Sequence, residues 1–244
     1  MAINWFKYSA PSTFYELAGK LAPWFAAAAA VLFVIGFYIG FFVAPTDAVQ
    51  GEAYRIMFIH VPASILSMFI YLVMAGYAAV GLVFNTRLSA MMASALAPTG
   101  ALFAFISLWT GALWGKPMWG AWWVWDARLT SELILLFLYI GFMALHASID
   151  DPRRADRAAA LLGIVGSVNV PIIYFSVKWW NTLHQGATIK FGGTSMHIAM
   201  QHSLLTMFFA CWFYAIAVTL WRVRSIILER ERTTQWVMEL AETK

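Results

Sequence analysis

Charged residues and cysteine are both scarce in this chain of 244 residues. Only 11% of the residues are charged and 62% are hydrophobic, whereas soluble domains average about 25% charged and about 45–50% apolar residues. This composition excludes an ordinary soluble domain and predicts a protein built for lipid. The single cysteine, Cys211, excludes an intrachain disulfide, a thiol redox pair and a cysteine metal cage.

Several common motifs are also missing. The chain has no G-x-x-x-x-G-K-[ST] loop, so it does not hydrolyse nucleotide by the P-loop route, and it has no H-E-x-x-H. The net charge is +4, but the basic residues form no stripe, which argues against nucleic acid as a partner. Without an internal repeat or a low-complexity linker, residues 1–244 are expected to form one polytopic domain.

Six apolar segments are long enough to cross a bilayer, which takes roughly 20 residues. The sequence therefore predicts an all-α integral membrane protein with six transmembrane helices. Before the first span, Thr13 to Glu16 has the form of a capping box, and a short N-terminal interfacial helix is predicted there. In the fifth span, Asn169 and Pro171 predict a local kink. The predicted spans are residues 24–43, 57–84, 92–113, 131–149, 158–177 and 203–221.

The distribution of basic residues predicts the orientation. One side of the predicted membrane holds eleven Lys and Arg residues and the other holds five. Because positive residues favour the cytoplasmic side, both termini are expected in the cytoplasm. The smaller set, on the outer side, is Arg55, Lys116, Arg128, Lys178 and Lys190.

Residues 114–126 read W-G-K-P-M-W-G-A-W-W-V-W-D and lie on the predicted outer side. This tryptophan-rich segment is too aromatic for a solvated loop, and its glycines and proline predict that it is not part of a spanning helix. Indole rings stack on flat, apolar ligands. The five tryptophans are Trp114, Trp119, Trp122, Trp123 and Trp125.

Two histidines are predicted on the same outer side. His60 lies in the first turns of the second span and His184 lies just beyond the fifth. His146 faces the cytoplasm and cannot meet them, whereas His197 and His202 remain candidates on position alone. Each feature has a plainer explanation: the tryptophans form an aromatic belt, the histidines bond at headgroup level, and Asp126 caps a helix.

The combination favours a haem platform. Imidazole is an axial ligand of haem iron, and the planar guanidinium of Arg55 or Arg128 suits a propionate carboxylate. Asn181 or Gln185 would orient an imidazole, and Asp126 would either cap the following helix or fix Arg128. The glycines at 111, 115 and 120 are expected to hinge the tryptophan-rich segment.

Three motifs carry a resemblance to a known family. The run W-G-K-P-M-W-G-A-W-W-V-W-D-A-R-L-T-S-E-L at 114–133 resembles the WWD signature of membrane haem-handling proteins. The flanking F-I-H-V-P-A at 58–63 and W-W-N-T-L-H-Q-G at 179–186 narrow it to component C of the bacterial cytochrome c maturation system, the haem exporter protein C family. The resemblance covers nearly the whole chain. The segment 187–200 is where the chain is expected to depart most from members of that family.

The resemblance implies haem b at the periplasmic face of the inner membrane, with His60 and His184 as axial ligands. It implies that the tryptophan-rich segment contacts the haem and presents its edge to a periplasmic haem chaperone, component E. The other implied partners are membrane lipid, a small single-span component D, and the ABC transporter components A and B. No enzymatic activity of the chain's own is expected.

Three alternatives remain open. A membrane b-type cytochrome would use the same bis-histidine chemistry but predicts a second haem or a quinone site. A permease for haem or another solute predicts polar residues at mid-membrane, whereas the spans are nearly uncharged. An enzyme acting on a lipid-linked substrate through Asp126 and Arg128 lacks a second acid–base pair.

Overall fold

The computed structural model describes residues 5–180, 182–184, 189–190, 193–194 and 196–242. Helices dominate this part of the chain. Short 3-10 helices at Trp5–Ser9 and Glu52–Ile56 precede α1 and α2, and a π-helix at Ile39–Val43 prolongs α1. The eight α-helices among the described residues are α1 (Pro11–Tyr38), α2 (Met57–Phe84), α3 (Arg87–Trp119), α4 (Ala127–Ala147), α5 (Pro152–Gly166), α6 (Asn169–Trp179), α7 (Ile198–Arg230) and α8 (Gln235–Glu242).

Six helical segments of the described chain are long and apolar enough to cross a membrane, which confirms the predicted fold class. The second apolar segment forms α2 with the predicted bounds. The described chain also contains two strands of two residues each, β1 (Ile189–Lys190) and β2 (Gly193–Thr194), which pair antiparallel. The six spans are Pro11–Val43, Glu52–Phe84, Arg87–Trp119, Ala127–Ala147, Pro152–Trp179 and Ile198–Arg230.

The predicted interfacial helix is not a separate element. Its residues form the first turns of α1, which begins at Pro11, where a missing backbone N–H costs little. The cause is tertiary packing, because Ala18 and Ala22 are fully buried against α7 beside Leu220. The capping-box pattern at Thr13 therefore lies inside the helix, and the prediction of a separate helix was wrong.

The third to sixth spans also differ from their predicted limits, and the differences in the third and fifth bear on the site. α3 continues to Trp119 and takes in the first six residues of the tryptophan-rich segment, so that segment is half helical. The fifth span is broken into α5 and α6 at Ser167 and Val168. The side chain of Asn169 donates to the backbone oxygen of Ser131 at 2.9 Å, which ties the break to α4. The kink predicted from Asn169 and Pro171 is confirmed.

The bundle has two chemically different ends. α1 packs mainly on α7 and α2 mainly on α3, while α4 and α5 complete the core. At the end that carries the termini, Arg230 makes a bidentate ion pair with Asp156 at 2.6 and 2.7 Å, and His146 lies 3.0 Å from the same carboxylate. This cluster joins α4, α5 and α7. His60, His184 and the tryptophan-rich segment lie at the opposite end.

Candidate functional site

His60 is presented by the first turns of α2 and held by α3. Its Nδ1 lies 3.0 Å from the backbone oxygen of Ser107 and 3.1 Å from Thr110 Oγ1. A carbonyl oxygen accepts only, so Nδ1 carries the ring proton and Nε2 keeps its lone pair. Hydrogen bonds of this kind orient a metal-binding histidine.

Gly111 lets α3 approach the His60 ring closely. A Cβ at this position would lie 3.2 Å from Cε1 of His60. Gly111 and Gly115 are both inside α3, and only Gly120 adopts a left-handed conformation, with φ of 77°. The glycines therefore serve close packing and a helix end, and the prediction of a glycine-hinged loop was wrong.

His184 lies beyond α6 and is half-buried. Its Nδ1 is buried and has no hydrogen-bond partner, and its ring meets the ring of Trp119 at 5.4 Å with planes at 64°. Burial, and then the positive charge of Arg128, lower the pKa of His184 to about 4. The ring is therefore neutral at physiological pH, the state in which imidazole binds a metal.

The two imidazole rings lie at a separation that suits one shared metal. Their ring centres are 6.3 Å apart and their planes differ by 34°. Two metal–imidazole bonds of about 2 Å, plus roughly 1 Å from each ring nitrogen to its ring centre, place the centres about 6 Å apart. No group of three or more His, Cys, Asp or Glu side chains suitable for a metal occurs in the described chain. Two imidazoles alone fit an iron whose other ligands come from a macrocycle.

A small cavity of about 20 Å³ lies between the two histidines. It is bordered by α2, α3 and α4, and its wall combines polar groups with Leu108 and Leu129. Arg128 lines it, donating to the backbone oxygen of Ile173 at 2.9 Å and more weakly to Ser64 Oγ at 3.4 Å. The lining residues are His60, Ser64, Ser107, Leu108, Gly111, Arg128, Leu129, Glu132 and His184.

A second, larger groove begins at Leu108, which also borders the cavity. It has a volume of about 420 Å³ and is lined almost entirely by apolar atoms. The two imidazoles suit haem iron, Arg128 suits a propionate, and the groove suits an apolar edge of the macrocycle, so the residues present suit a haem. The groove is lined by Phe105, Leu108, Trp109, Ala112, Trp123, Trp125, Leu133 and Leu136.

The five tryptophans of the segment fall into two groups, one in α3 and one in the loop that follows it. Trp114 and Trp119, both in α3, meet edge to face at 5.1 Å, and Trp114 Nε1 donates to Gln50 Oε1 at 2.9 Å. Trp123 meets Trp125 at 5.3 Å along the groove. Trp122 and Trp125 are 56% and 77% exposed. The helical pair thus supports His184, and the loop residues leave an exposed aromatic surface.

Two other predicted site residues have structural partners. Asp126 is the N-cap of α4 and accepts from the backbone N–H of Leu129 at 2.8 Å. It forms no ion pair with Arg128, so capping is the interaction observed. Arg55 pairs with Glu52 and donates to the backbone oxygen of Gly40. Arg55 lines neither cavity nor groove, which leaves Arg128 as the arginine beside the histidines.

The remaining histidines are outside the pair. His197 is the N-cap of α7 and its Nδ1 accepts from Ala199 N–H at 3.2 Å, while His202 is exposed on α7. Asn181 and Gln185, predicted to orient an imidazole, lie outside the described residues. For His60, the backbone carbonyl of Ser107 orients the imidazole.

Glu132 is the functional candidate that sequence reasoning missed. It is 4% exposed, lines the cavity and accepts from Ser67 Oγ at 2.8 Å. A signal was present, because Arg128 and Glu132 are spaced i, i+4 at the start of an otherwise uncharged span. The prediction of nearly uncharged spans was wrong for α4, which contains both residues.

The chain is similar to known proteins over nearly its whole length. A family model described as heme exporter protein C matches residues 4–238. The chain is 49% identical to heme exporter protein C of Escherichia coli K12, over 94% of this chain and 93% of the relative. It is 47% identical to the Haemophilus influenzae protein of that name, over 97% and 96%. A ccmC-like mitochondrial protein of Marchantia polymorpha is 42% identical over 84% and 85%. The chain belongs to the heme exporter protein C family.

Proposed function

We propose that this protein binds haem b and handles it for cytochrome c maturation, with His60 and His184 as the two axial ligands. The observation that carries the proposal is the pair of imidazoles with centres 6.3 Å apart, one with its Nδ1 proton fixed on a backbone carbonyl. Haem bound there would supply an iron with both axial positions filled, which restricts oxygen chemistry at the metal.

Different residues around the histidine pair hold different parts of the haem site. The groove from Leu108 to Leu136 accepts an apolar edge of the macrocycle. Arg128 binds a propionate, because its guanidinium lines the cavity and already donates to neutral oxygens only. Trp119 holds the His184 ring in place by its edge-to-face contact.

The exposed half of the tryptophan-rich segment is proposed to present the haem edge to a partner. Trp122 and Trp125 project large apolar surfaces outward beside the groove, and aromatic side chains are enriched where proteins dock. The proposed recipient is a periplasmic haem chaperone, component E. The family description, a haem exporter protein C, also supports membership of an exporter complex, with components A, B and the single-span component D as its proposed members.

The basic residues support a location for this site. Eleven of the sixteen Lys and Arg residues fall on the side of the termini in the predicted topology. We therefore place the termini in the cytoplasm and the histidine pair at the periplasmic face of the bacterial inner membrane.

The test is absorption spectroscopy and haem quantitation on purified protein. Wild type should show a low-spin b-type spectrum, and His60→Ala or His184→Ala should lose it together with most of the haem. His202→Ala is the matched control, because this exposed histidine of α7 lies outside the pair. Retention of the wild-type spectrum and haem content in both site variants would overturn the axial assignment.

A b-type electron carrier is less well supported. It requires a second pair of ligands deeper in the bundle, yet His146 lies 3.0 Å from Asp156 and His197 caps α7. The placement of the histidines therefore favours one haem at one end of the bundle.

A further inference from the structure

Glu132 has an unusual environment for a carboxyl group. It belongs to α4, it is 4% exposed, and one of its oxygens accepts from Ser67 Oγ at 2.8 Å. The second oxygen, Oε2, is buried without a hydrogen-bond partner. Glu132 is the single acidic side chain in the described wall of the cavity between the histidines. A polar atom left unpaired in such a place costs free energy, so a ligand or a charge partner is expected.

The cation in the same wall is Arg128, one helical turn earlier on α4. Its hydrogen bonds reach the backbone oxygen of Ile173 and Ser64 Oγ, both of which are neutral acceptors. Asp126 is close in sequence, but one of its oxygens caps α4 and it does not line the cavity. Glu132 is therefore the one carboxyl group in the described wall that shares the cavity with the guanidinium, and no direct ion pair joins the two side chains.

We propose that Glu132 is the counter-charge of Arg128 and sets how tightly the cavity holds a ligand carboxylate. This inference rests on the proposed function, in which Arg128 binds a haem propionate. An entering carboxylate and Glu132 compete for one cation in a small cavity that water screens poorly. Glu132 thus weakens the hold on the propionate, which suits a protein that passes its ligand on.

The experiment compares haem with its dimethyl ester, which carries the same macrocycle and iron but no carboxylates. The quantity measured is the ratio of the Kd for the ester to the Kd for haem. Glu132→Gln and Glu132→Met both remove the charge, and the methionine adds no N–H donor. Ser67→Ala removes the hydrogen bond and keeps the charge. Arg128→Gln removes the proposed partner of the propionate.

In both Glu132 variants the ratio should rise about tenfold or more, as expected for close charge pairs. In Ser67→Ala it should stay at the wild-type value, and in Arg128→Gln it should fall toward one. An unchanged ratio in both Glu132 variants, an equal rise in Ser67→Ala, or an unchanged ratio in Arg128→Gln would each overturn the proposal.

The absorption spectrum distinguishes a failure of the role proposed for Glu132 from a failure of the proposed function. A wild-type protein without the two-imidazole spectrum contradicts the haem assignment, whatever the ratio. A wild-type protein that has this spectrum, with a ratio that the Glu132 variants do not change, contradicts only the role given to Glu132.

Discussion

Gly111 determines how closely α3 approaches the ring of His60. A methyl group there would lie 3.2 Å from Cε1, which is tighter than an ordinary van der Waals contact. The ring is also held through Nδ1 by Ser107 and Thr110 of the same helix. Any side chain at 111 therefore displaces the ring or the helix, and with them the lone pair at Nε2.

Gly111→Ala should lower the affinity for haem, or the low-spin fraction, by about tenfold, because axial ligation tolerates little displacement of the ring. Gly76→Ala is the control, since a Cβ at that position of α2 meets nothing within 4 Å. In helices alanine is favoured over glycine by about 1 kcal/mol, so both variants should fold. Haem titration of the two proteins measures the effect. Wild-type affinity in Gly111→Ala would contradict the close approach.

At the scale of elements, the junction between α3 and α4 positions the arginine and the loop tryptophans. Gly120 ends α3 with a left-handed residue whose N–H bonds the carbonyl of Lys116 at 3.1 Å. Six residues later Asp126 caps α4. Trp122, Trp123 and Trp125 lie on the short connection between these two fixed ends.

Asp126→Ala should cost about 1 kcal/mol of stability, the usual loss for an N-cap. Asp126→Asn should cost little, because asparagine caps equally well. Thermal unfolding in detergent, together with haem content, measures both variants. If asparagine were as damaging as alanine, the negative charge rather than the cap would be what this position supplies.

Local pattern predicted most of the elements, and its errors have physical causes. Hydropathy located all six spans because length and apolarity decide them. It ended the third span too early, because Pro117 and Gly115 were read as helix breakers, whereas α3 accommodates both before it ends at Trp119. Topology predicted that His60 and His184 lie on the same side of the membrane, and the family resemblance singled them out as a pair. The role of Ser107 and the burial of Glu132 depend on packing between α2, α3 and α4, which no local pattern encodes.

At the scale of the whole molecule, the proposed orientation is open to a direct test. Cys211 is buried, and its replacement by alanine gives a cysteine-free background. In that background we expect Lys116→Cys to react with a membrane-impermeant thiol reagent applied from the periplasm, and Arg154→Cys to stay unlabelled until the membrane is opened. Both side chains are exposed at opposite ends of the bundle. The reverse labelling pattern would place the histidine pair in the cytoplasm.

The proposed function depends on one iron bound by two particular side chains. Pulsed electron paramagnetic resonance of the ferric protein, with histidine labelled by ¹⁵N, counts the imidazole nitrogens bound to the metal. We predict two such nitrogens in wild type and, in the haem that each variant retains, one, with the His60 signal lost in His60→Ala and the His184 signal lost in His184→Ala. A single imidazole in wild type, or two that persist in either variant, would contradict the account.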